Sequence, residues 1–228
     1  MDRYLVLIGG GEIRAKETLE IDRAIASLAQ ERAGDRRACA LFLGTASHDF
    51  FPYYNSFHKV YTGELGLKTD VALTVYKPHD PEKLRAKFEK ADMIYVGGGD
   101  TLFLLEEWKR TGLGDLVLDA YRRGVILCGL SAGAICWFEK IYTDSAKTGD
   151  HVYARATAMG LLPGGCCPHY NERRTDFADA IEEGERWLCI ENNSAVIFRN
   201  EDLIASLNHG GSSFYVEKHA GRVKESRI

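Results

Sequence analysis

Short apolar runs alternate with longer segments of helical periodicity over the first 130 residues, and this alternation constrains the fold more than any other feature. The predicted strands span residues 4–8, 38–43, 71–75, 93–96 and 125–130. The predicted helices span residues 17–32, 55–65, 80–90, 101–111 and 113–123. Strands that alternate with helices build βαβ units, so we predict an α/β fold with a three-layer, doubly wound, mostly parallel sheet.

The last third of the chain has a different pattern. Its short β-like runs are separated by turns and span residues 187–190, 195–199, 203–207 and 213–217. We expect them to form a short antiparallel extension at the edge of the parallel sheet. Because no linker, internal repeat or low-complexity stretch interrupts the sequence, we predict a single domain over residues 1–228.

Composition excludes several classes of protein. The net charge of −4 provides no basic surface for nucleic acid at the level of the whole chain. No apolar run approaches the ~20 residues that span a bilayer. The apolar run at residues 4–8 is too short for a signal peptide and continues into glycines instead of a cleavage site. The six cysteines form no CxxC pair, so we expect reduced thiols and a cytoplasmic protein.

Glycine is abundant, with 23 residues against only five prolines. Three clusters directly follow predicted strands: Gly9–Gly11, Gly97–Gly99, and the pair Gly129 and Gly133. Since ligands of open parallel sheets bind at the carboxyl ends of the strands, the clusters predict one site with backbone crowded around it. A phosphate cradle is the weaker interpretation, because neither GxGxxG nor GxxxxGK[ST] is present.

The most specific local motif is G-x-S-x-G at Gly129-Leu-Ser-Ala-Gly133. An apolar strand precedes it and an apolar run of helical character follows, which is the context of a nucleophile elbow. A sharp turn would hold Ser131 with its Oγ exposed, and side chains two positions away would collide unless they were glycine. A helix starting at Ala132 would aim free N–H groups at a developing oxyanion. We therefore predict Ser131 as a nucleophile.

A nucleophilic serine needs a base, and the sequence offers seven histidines: His48, His58, His79, His151, His169, His209 and His219. His169 ends an apolar stretch and begins a polar loop, where a strand end at the active edge would lie. Residue types alone do not choose among the seven. Cys128, three residues before Ser131, is interpreted as a small core residue.

Several of these motifs together resemble the peptidase E and cyanophycinase family, in order and in spacing. That family consists of serine peptidases on a fold similar to class I glutamine amidotransferases, which is flavodoxin-like. The resemblance extends from residue 8 to about residue 195. It rests on Ile8-Gly-Gly-Gly-Glu12, Tyr95-Val-Gly-Gly-Gly-Asp-Thr101, Gly129-Leu-Ser-Ala-Gly-Ala134, Pro168-His169 and Ile190-Glu191-x-x-Ser-Ala195.

The resemblance implies a catalytic triad of Ser131 as nucleophile, His169 as general base and Glu191 as the carboxylate that orients the imidazole. An α/β-hydrolase would instead place the acid between serine and histidine, where Asp144 and Asp150 are available. Asp144 therefore stays open as an alternative acid.

For the oxyanion hole, the resemblance implies the N–H of Ala132 and one from Gly98 or Gly99. The mechanism needs no metal and no organic cofactor. The pattern Cys166-Cys167-x-His169 fits no zinc spacing.

The expected substrate is a small peptide, either a dipeptide or an aspartyl-containing peptide. Arg173 and Arg174 are suitable for holding a carboxylate, although both could equally be solvated beside a helix over residues 175–185. Asp100 and Thr101 follow the second glycine cluster and are further substrate-binding candidates. Peptidase E tends to carry Asn where this chain has Asp100, which speaks against strict aspartyl specificity.

Two other functions remain open on the sequence. One is a non-catalytic member of the amidotransferase-like superfamily that keeps the pocket for a ligand. The other is an esterase on an α/β-hydrolase scaffold, for which Asp144 would contact His169. We expect neither a nucleic-acid nor a membrane partner, and a homodimer is a possible assembly.

Overall fold

A computed structural model describes residues 2–76, 80–146 and 152–228. The elements, in chain order, are β1 (Tyr4–Ile8), α1 (Leu19–Ala33), β2 (Cys39–Leu43), α2 (Phe51–His58), β3 (Lys68–Ala72), α3 (Pro81–Lys90), β4 (Met93–Val96), α4 (Thr101–Thr111), α5 (Leu113–Arg122), β5 (Ile126–Leu130), α6 (Ala132–Ile135), β6 (Phe138–Thr143), β7 (Ala154–Thr157), β8 (Leu162–Cys167), α7 (Tyr170–Ala180), β9 (Arg186–Ile190), β10 (Ser194–Arg199), β11 (Asp202–Asn208), β12 (Ser213–His219) and β13 (Arg222–Arg227).

The larger sheet has seven strands in the order β11-β10-β1-β5-β4-β2-β3. Strands β1 to β5 are parallel, and β10 and β11 extend the sheet antiparallel at the β1 edge. This arrangement confirms the predicted α/β fold with its mostly parallel sheet and short antiparallel C-terminal strands.

Helices cover both faces of this sheet. Successive side chains of its strands therefore point alternately into one of two cores, one on each face. In β1, Leu5 and Leu7 belong to the core beneath α3, α4 and α5, whereas Val6 and Ile8 belong to the core beneath α1 and α2. All four side chains are fully buried. Continuous apolar runs such as β1 are therefore explained by burial on both sides.

A second sheet of six strands, which the sequence did not predict, has the order β13-β12-β9-β8-β6-β7. The predicted strands at residues 187–190 and 213–217 belong to this sheet and not to the edge of the first one. The sequence signal was weak because β8 reads Leu-Pro-Gly-Gly-Cys-Cys, which lacks the alternation of a typical strand. A third core, which includes Phe177 and Trp187, fills the space between α7 and this sheet.

Some element boundaries also differ from the predictions. The apolar run after Ser131 forms only the single turn of α6, and the chain then enters β6. Helix α2 begins earlier than predicted, with Pro52 in its first turn, and continues as a π-helical turn over Lys59–Glu64. Helix α7 starts directly after His169, five residues before its predicted start. Within the described ranges, no helix is both long enough and apolar enough to cross a membrane.

The carboxyl ends of β1, β5 and β4 lie side by side in the larger sheet. A backbone hydrogen bond of 2.9 Å from Ser131 N to Ile8 O ties the end of β5 to the end of β1. The three glycine clusters follow these three strand ends, so they meet at one edge of the sheet as predicted.

Candidate active site

Ser131 lies between the end of β5 and the first residue of α6, in a backbone conformation that L-residues rarely adopt, with φ of 54° and ψ of −110°. Neighbouring backbone packs against this turn so closely that a Cβ on Gly133 would overlap with Val96 O. A Cβ on Gly129 would likewise overlap with Gly133 O. Glycine at both positions therefore permits the turn that presents Ser131.

His169 faces Ser131 from the loop between β8 and α7. Its Nε2 lies 2.9 Å from Ser131 Oγ, and its side chain is 23% exposed. The backbone of His169 is left-handed, with φ of 49°, and its N–H donates to Gly9 O at 3.0 Å. The glycine turn after β1 therefore positions the histidine opposite the serine.

Asn192 contacts the other nitrogen of the imidazole. His169 Nδ1 lies 2.6 Å from Asn192 Oδ1, and Asn192 Nδ2 donates to Glu172 Oε1, also at 2.6 Å. Because the amide nitrogen serves Glu172, the amide oxygen accepts from His169, which must carry its proton on Nδ1. Nε2 is then free to accept the Ser131 hydroxyl proton.

Gly10 makes room for this contact. A Cβ at position 10 would overlap with Asn192 Oδ1 and His169 Nδ1. The backbone of the same turn also holds Asn193, the residue after Asn192, because Asn193 N donates to Gly10 O at 3.0 Å. The first glycine cluster is therefore needed for the hydrogen-bonded chain from Ser131 through His169 to Asn192.

Glu191 does not contact His169, so the prediction that it orients the imidazole is wrong. Its Oε1 lies 2.8 Å from Arg174 Nη2, and its Oε2 accepts from Ser212 N at 2.9 Å. Glu191 and Asn192 are successive residues at the turn that follows β9, and their different partners show that their side chains point to different sides. The side that faces the imidazole is that of Asn192.

The alternative acid is not on the histidine either. Asp144 Oδ1 lies 3.7 Å from Arg173 Nη2, so its carboxylate pairs with that guanidinium. Asp150, the other acid between Ser131 and His169, lies outside the described residues. Among the described residues, the carboxylate that pairs with the imidazole is Glu172, whose Oε1 is 3.9 Å from His169 Nδ1.

Burial is the largest influence on His169 and lowers the pKa of its imidazole. The positive charge of Arg173 lowers this pKa further, whereas the hydrogen bond that His169 donates to Asn192 and the charge of Glu172 raise it. The net effect is a lowered pKa, so His169 is neutral at pH 7 and able to accept a proton.

A cavity of about 400 Å³ opens in front of Ser131 and His169. Three segments supply most of its wall: the loop after β1, the first turns of α2 and the second glycine cluster. The residues lining it are Gly11, Glu12, Ile13, Arg14, Phe50, Pro52, Tyr53, Ser56, Gly98, Gly99, Leu130, Ser131 and His169.

Gly98 and Tyr53 meet within this wall. A Cβ on Gly98 would lie 3.4 Å from Ser131 Cβ, so this glycine is adjacent to the serine. Gly98 N donates to the Tyr53 hydroxyl at 3.2 Å. The phenol ring is held by an edge-on contact with Phe42, with ring centroids 5.1 Å apart. One of the predicted oxyanion donors is therefore already engaged by a tyrosine hydroxyl.

The predicted substrate-binding residues have other roles in this structure. Asp100 caps α4 by accepting from Phe103 N at 3.0 Å, and Thr101 is buried at the start of that helix. Arg173 is 4% exposed and donates to Tyr142 O, while Arg174 pairs with Glu191. None of these four residues is among those lining the described cavity.

The sequence matches the family model "Peptidase family S51" over residues 5–206. The chain belongs to this family. The match spans all three glycine clusters, the serine turn, and the strands β8 and β9 that precede His169 and Asn192. This S51 chain is accordingly a peptidase, and the predicted resemblance to peptidase E is confirmed.

Curated relatives of this S51 peptidase match most of its length. An uncharacterized peptidase of Bacillus subtilis, YgaJ, is 33% identical over 215 residues, which covers 91% of this chain and 88% of the relative. A peptidase E of Salmonella newport is 31% identical and covers 80% of this chain and 72% of its own.

Solved structures share the fold of this S51 peptidase. A putative peptidase E from Listeria monocytogenes superimposes with a TM-score of 0.65 at 22% identity, over 91% of this chain and 99% of that one. A peptidase from an acI-B1 Actinobacterium gives a TM-score of 0.72 at 17% identity, over 100% and 94% of the two chains. At these identities the comparison shows the fold alone.

Sequence reasoning missed Asn192, Tyr53 and Arg14 in this S51 peptidase. Asn192 directly follows Glu191, whose carboxylate better fits the expected role of orienting the imidazole. Only the course of the chain after β9 shows which of the two side chains reaches His169. Tyr53 and Arg14 come from segments remote in sequence from Ser131. No local motif marks them, so only the folded chain reveals them.

The remaining histidines lie elsewhere in this S51 peptidase or outside the described residues. His48 packs on Phe103, and His58 lies within hydrogen-bonding distance of Thr69. His219 pairs with Glu183 on the surface, and His209 donates its backbone N–H to Asn193 O. His79 and His151 lie in the two internal ranges that the structure does not describe.

Cysteines take no part in the described site. Cys128 is fully buried, and burial raises the pKa of its thiol well above the ordinary value. Over residues 2–76, 80–146 and 152–228, no three His, Cys, Asp or Glu side chains are grouped so that they could hold a metal ion.

Proposed function

We propose that this chain is a serine peptidase that hydrolyses small peptides, with Ser131 as nucleophile and His169 as general base. The observation that carries the proposal is the 2.9 Å contact between His169 Nε2 and Ser131 Oγ in the wall of the cavity. This distance permits direct proton transfer from the hydroxyl to the imidazole. The lowered pKa of His169 supports the role, because a base must be unprotonated to act.

In the proposed reaction, Ser131 Oγ attacks the peptide carbonyl carbon while His169 Nε2 takes the hydroxyl proton. The tetrahedral intermediate then collapses, and His169 gives this proton to the leaving amine. The resulting acyl-enzyme is hydrolysed by water, whose proton passes to His169 as its oxygen attacks the ester. Collapse of the second intermediate returns the proton to Ser131 and releases the carboxylic acid.

Asn192 takes the position that we had predicted for Glu191. Its amide oxygen accepts a hydrogen bond from the Nδ1–H group and so fixes the imidazole in the tautomer that leaves Nε2 free. A neutral amide does not offset the positive charge that His169 acquires during the reaction. The Glu172 carboxylate, which lies 3.9 Å from Nδ1 and accepts a hydrogen bond from Asn192, supplies the nearby negative charge instead.

The proposed oxyanion hole combines backbone and side-chain donors. The N–H of Ala132 and of Gly99 stay as predicted candidates, since neither is hydrogen-bonded within the described part of the chain. Gly98 N donates to the Tyr53 hydroxyl, which leaves the phenol proton available to donate into the cavity. Burial raises the pKa of Tyr53 to about 12, so this proton is retained at neutral pH.

The cavity volume of about 400 Å³ suits a short peptide better than an unfolded protein chain. No observation favours an esterase of the α/β-hydrolase type, for which Asp144 would have to lie on His169. A binding protein without activity is disfavoured by the pairing of Ser131 with a neutral histidine.

A fluorophosphonate probe tests the nucleophile directly, since it labels activated serines. We expect the wild-type protein to be labelled on Ser131, and the Ser131→Ala and His169→Ala variants to lose labelling together with dipeptide hydrolysis. Ser56→Ala is the matched control, because Ser56 lines the same cavity but donates its hydroxyl proton to Pro52 O. Hydrolysis that persists in Ser131→Ala would overturn the proposal.

A further inference from the structure

Tyr95 carries a hydroxyl group into the apolar core of the protein. The residue lies on β4 and is fully buried, in the core beneath α1 and α2. Its ring packs on Phe42, Phe57 and Tyr61, with centroids 6.0, 5.2 and 5.7 Å away. Among the described residues, none is hydrogen-bonded to its hydroxyl oxygen in this structure. A buried hydroxyl that finds no partner loses its bonds to water without replacement, which is destabilising.

The phenol of Tyr53 lies beside Tyr95 on the same face of β4. Gly97 N donates to Leu43 O at 2.9 Å, so the strand geometry of β4 continues to residue 97. Residues 95 and 97 are then two positions apart in one strand and face the same side of the sheet. On that side, a Cβ on Gly97 would lie 2.8 Å from Tyr53 Cε1 and 3.4 Å from Cζ, the carbon that carries the hydroxyl. The missing side chain of Gly97 thus leaves the space in which Tyr53 packs next to Tyr95.

Two other polar side chains close to Tyr95 already have partners. The Asp22 carboxylate accepts from two other hydroxyls, one on each oxygen, both at 2.8 Å. The Cys128 thiol donates to a carbonyl of β4 at 3.3 Å. Burial raises the pKa of the Tyr95 hydroxyl well above its ordinary value, and the neighbouring Tyr53 raises it further. Tyr53 is therefore the neighbour left to pair with the Tyr95 hydroxyl.

The direction of this hydrogen bond follows from the number of donors and acceptors. A phenol oxygen has two lone pairs that accept and one proton to donate. Gly98 N already donates to the Tyr53 oxygen at 3.2 Å, which leaves one lone pair. If Tyr95 donates there, its own proton is satisfied and the Tyr53 proton points to the cavity, where water or substrate accepts it. The reverse direction would leave the Tyr95 proton without an acceptor in the apolar core.

We propose that Tyr95 is a positioning residue whose hydroxyl donates to Tyr53 and so directs the Tyr53 proton toward the oxyanion that forms at Ser131. The influences on Tyr53 agree with this direction. Burial raises its pKa, whereas the hydrogen bonds of Gly98 N and of Tyr95 lower it, as groups that donate to the phenol oxygen do. The inference rests on the proposed function, in which the Tyr53 phenol is an oxyanion donor. Tyr95 is fully buried and acts through Tyr53 alone.

A spectroscopic test detects this hydrogen bond without turnover. In protein labelled with ¹³Cζ-tyrosine, the Tyr53 resonance is assigned by its loss in Tyr53→Phe. The ¹³Cζ shift responds to hydrogen bonds at the phenol oxygen, so we expect the Tyr53 resonance to move in Tyr95→Phe. Tyr61→Phe is the matched control, because it removes a hydroxyl from the same core, where that hydroxyl donates to Asp22. The Tyr53 resonance should stay in place in this control.

Steady-state hydrolysis of a dipeptide tests the consequence for catalysis. We expect Tyr95→Phe to lower kcat by about three- to tenfold at unchanged KM, which is less than the loss of the donor itself in Tyr53→Phe. In the Tyr53→Phe background the same substitution should have no further effect, because the group that Tyr95 positions is gone. A merely structural role of Tyr95 would lower activity equally in both backgrounds.

A Tyr53 resonance that does not respond to Tyr95→Phe would overturn the inference, as would an equal response to Tyr61→Phe. So would an unchanged or raised kcat in Tyr95→Phe, and a rise would mean that Tyr53 donates to Tyr95 and not the reverse. Because the resonance is recorded without substrate, it is independent of whether Ser131 is the nucleophile, which fluorophosphonate labelling decides.

Discussion

The amide oxygen of Asn192 lies 2.6 Å from Nδ1 of His169, on the opposite side of the imidazole from Ser131. A neutral amide thus stands where serine peptidases commonly have a carboxylate. The negative charge lies instead on Glu172, which does not touch the imidazole in this way but accepts a hydrogen bond from Asn192. This relationship gives the site a distinct response to mutation and to pH.

Replacing Asn192 should damage catalysis far more than replacing Glu191. In Asn192→Ala the imidazole loses the acceptor that fixes its tautomer, and we expect kcat to fall by about 10²-fold or more, toward the loss seen when a triad aspartate is replaced. Glu191→Gln removes only a charge that pairs with Arg174, so kcat should stay within a few-fold of the wild type. Steady-state hydrolysis of a dipeptide measures both. A larger effect of Glu191→Gln would restore the original triad.

The pH dependence of kcat/KM should follow the lowered pKa of His169. Protonation removes the base, so activity is lost as pH falls, and the midpoint of this loss should lie below the ordinary histidine value of about 6.5. A pH–rate profile measures it. A midpoint above that value would contradict the environment described for His169.

Moving the negative charge of Glu172 closer to His169 should shift the midpoint of the pH–rate profile upward. The double variant Asn192→Asp with Glu172→Gln keeps the total charge but places the carboxylate directly on Nδ1, which favours the protonated imidazole. We expect the midpoint to rise by about 1 pH unit. Glu172→Gln alone should move it slightly in the opposite direction, because it removes the charge 3.9 Å away.

The backbone strain at Ser131 should appear as a gain in stability when glycine replaces it. A non-glycine residue at φ of 54° and ψ of −110° costs about 1–3 kcal/mol, which glycine avoids apart from about 0.5–1 kcal/mol of chain entropy. Ser131→Gly should therefore be about 1 kcal/mol more stable than Ser131→Ala. Urea unfolding compares the two inactive variants, which both lack the hydroxyl, and equal stabilities would argue against strain at this turn.

Loss of the Tyr53 hydroxyl should lower kcat with little effect on KM. If the phenol donates to the oxyanion, Tyr53→Phe removes a donor whose loss typically costs about 10²-fold in kcat. Tyr54→Phe, one residue further in α2, is the control. An increase in kcat would show instead that the hydroxyl blocks the N–H of Gly98 in the free enzyme.

Patterns of residues predicted much of the fold and part of the site. Alternation of apolar strands and helices predicted the parallel sheet, since burial on both faces leaves a direct mark on sequence. The glycine clusters and G-x-S-x-G predicted where Ser131 would lie, because close backbone packing permits only glycine. The second sheet was missed, since strands such as β8 contain proline and glycine and owe their pairing to neighbours remote in sequence.

The sequence by itself determined the strand–turn–serine unit, because its spacing is a local steric requirement. Tertiary structure alone decided which side chain contacts His169 Nδ1 and which arginine lines the cavity. Glu191 and Asn192 are neighbours in sequence, and both side chains can accept a hydrogen bond from an imidazole. The course of the chain after β9 places Glu191 on Arg174 and Asn192 on the imidazole of His169. Arg173 and Arg174 are likewise held by Asp144 and Glu191, which leaves Arg14 in the cavity. Such choices depend on distances between segments far apart in the chain, which no local pattern records.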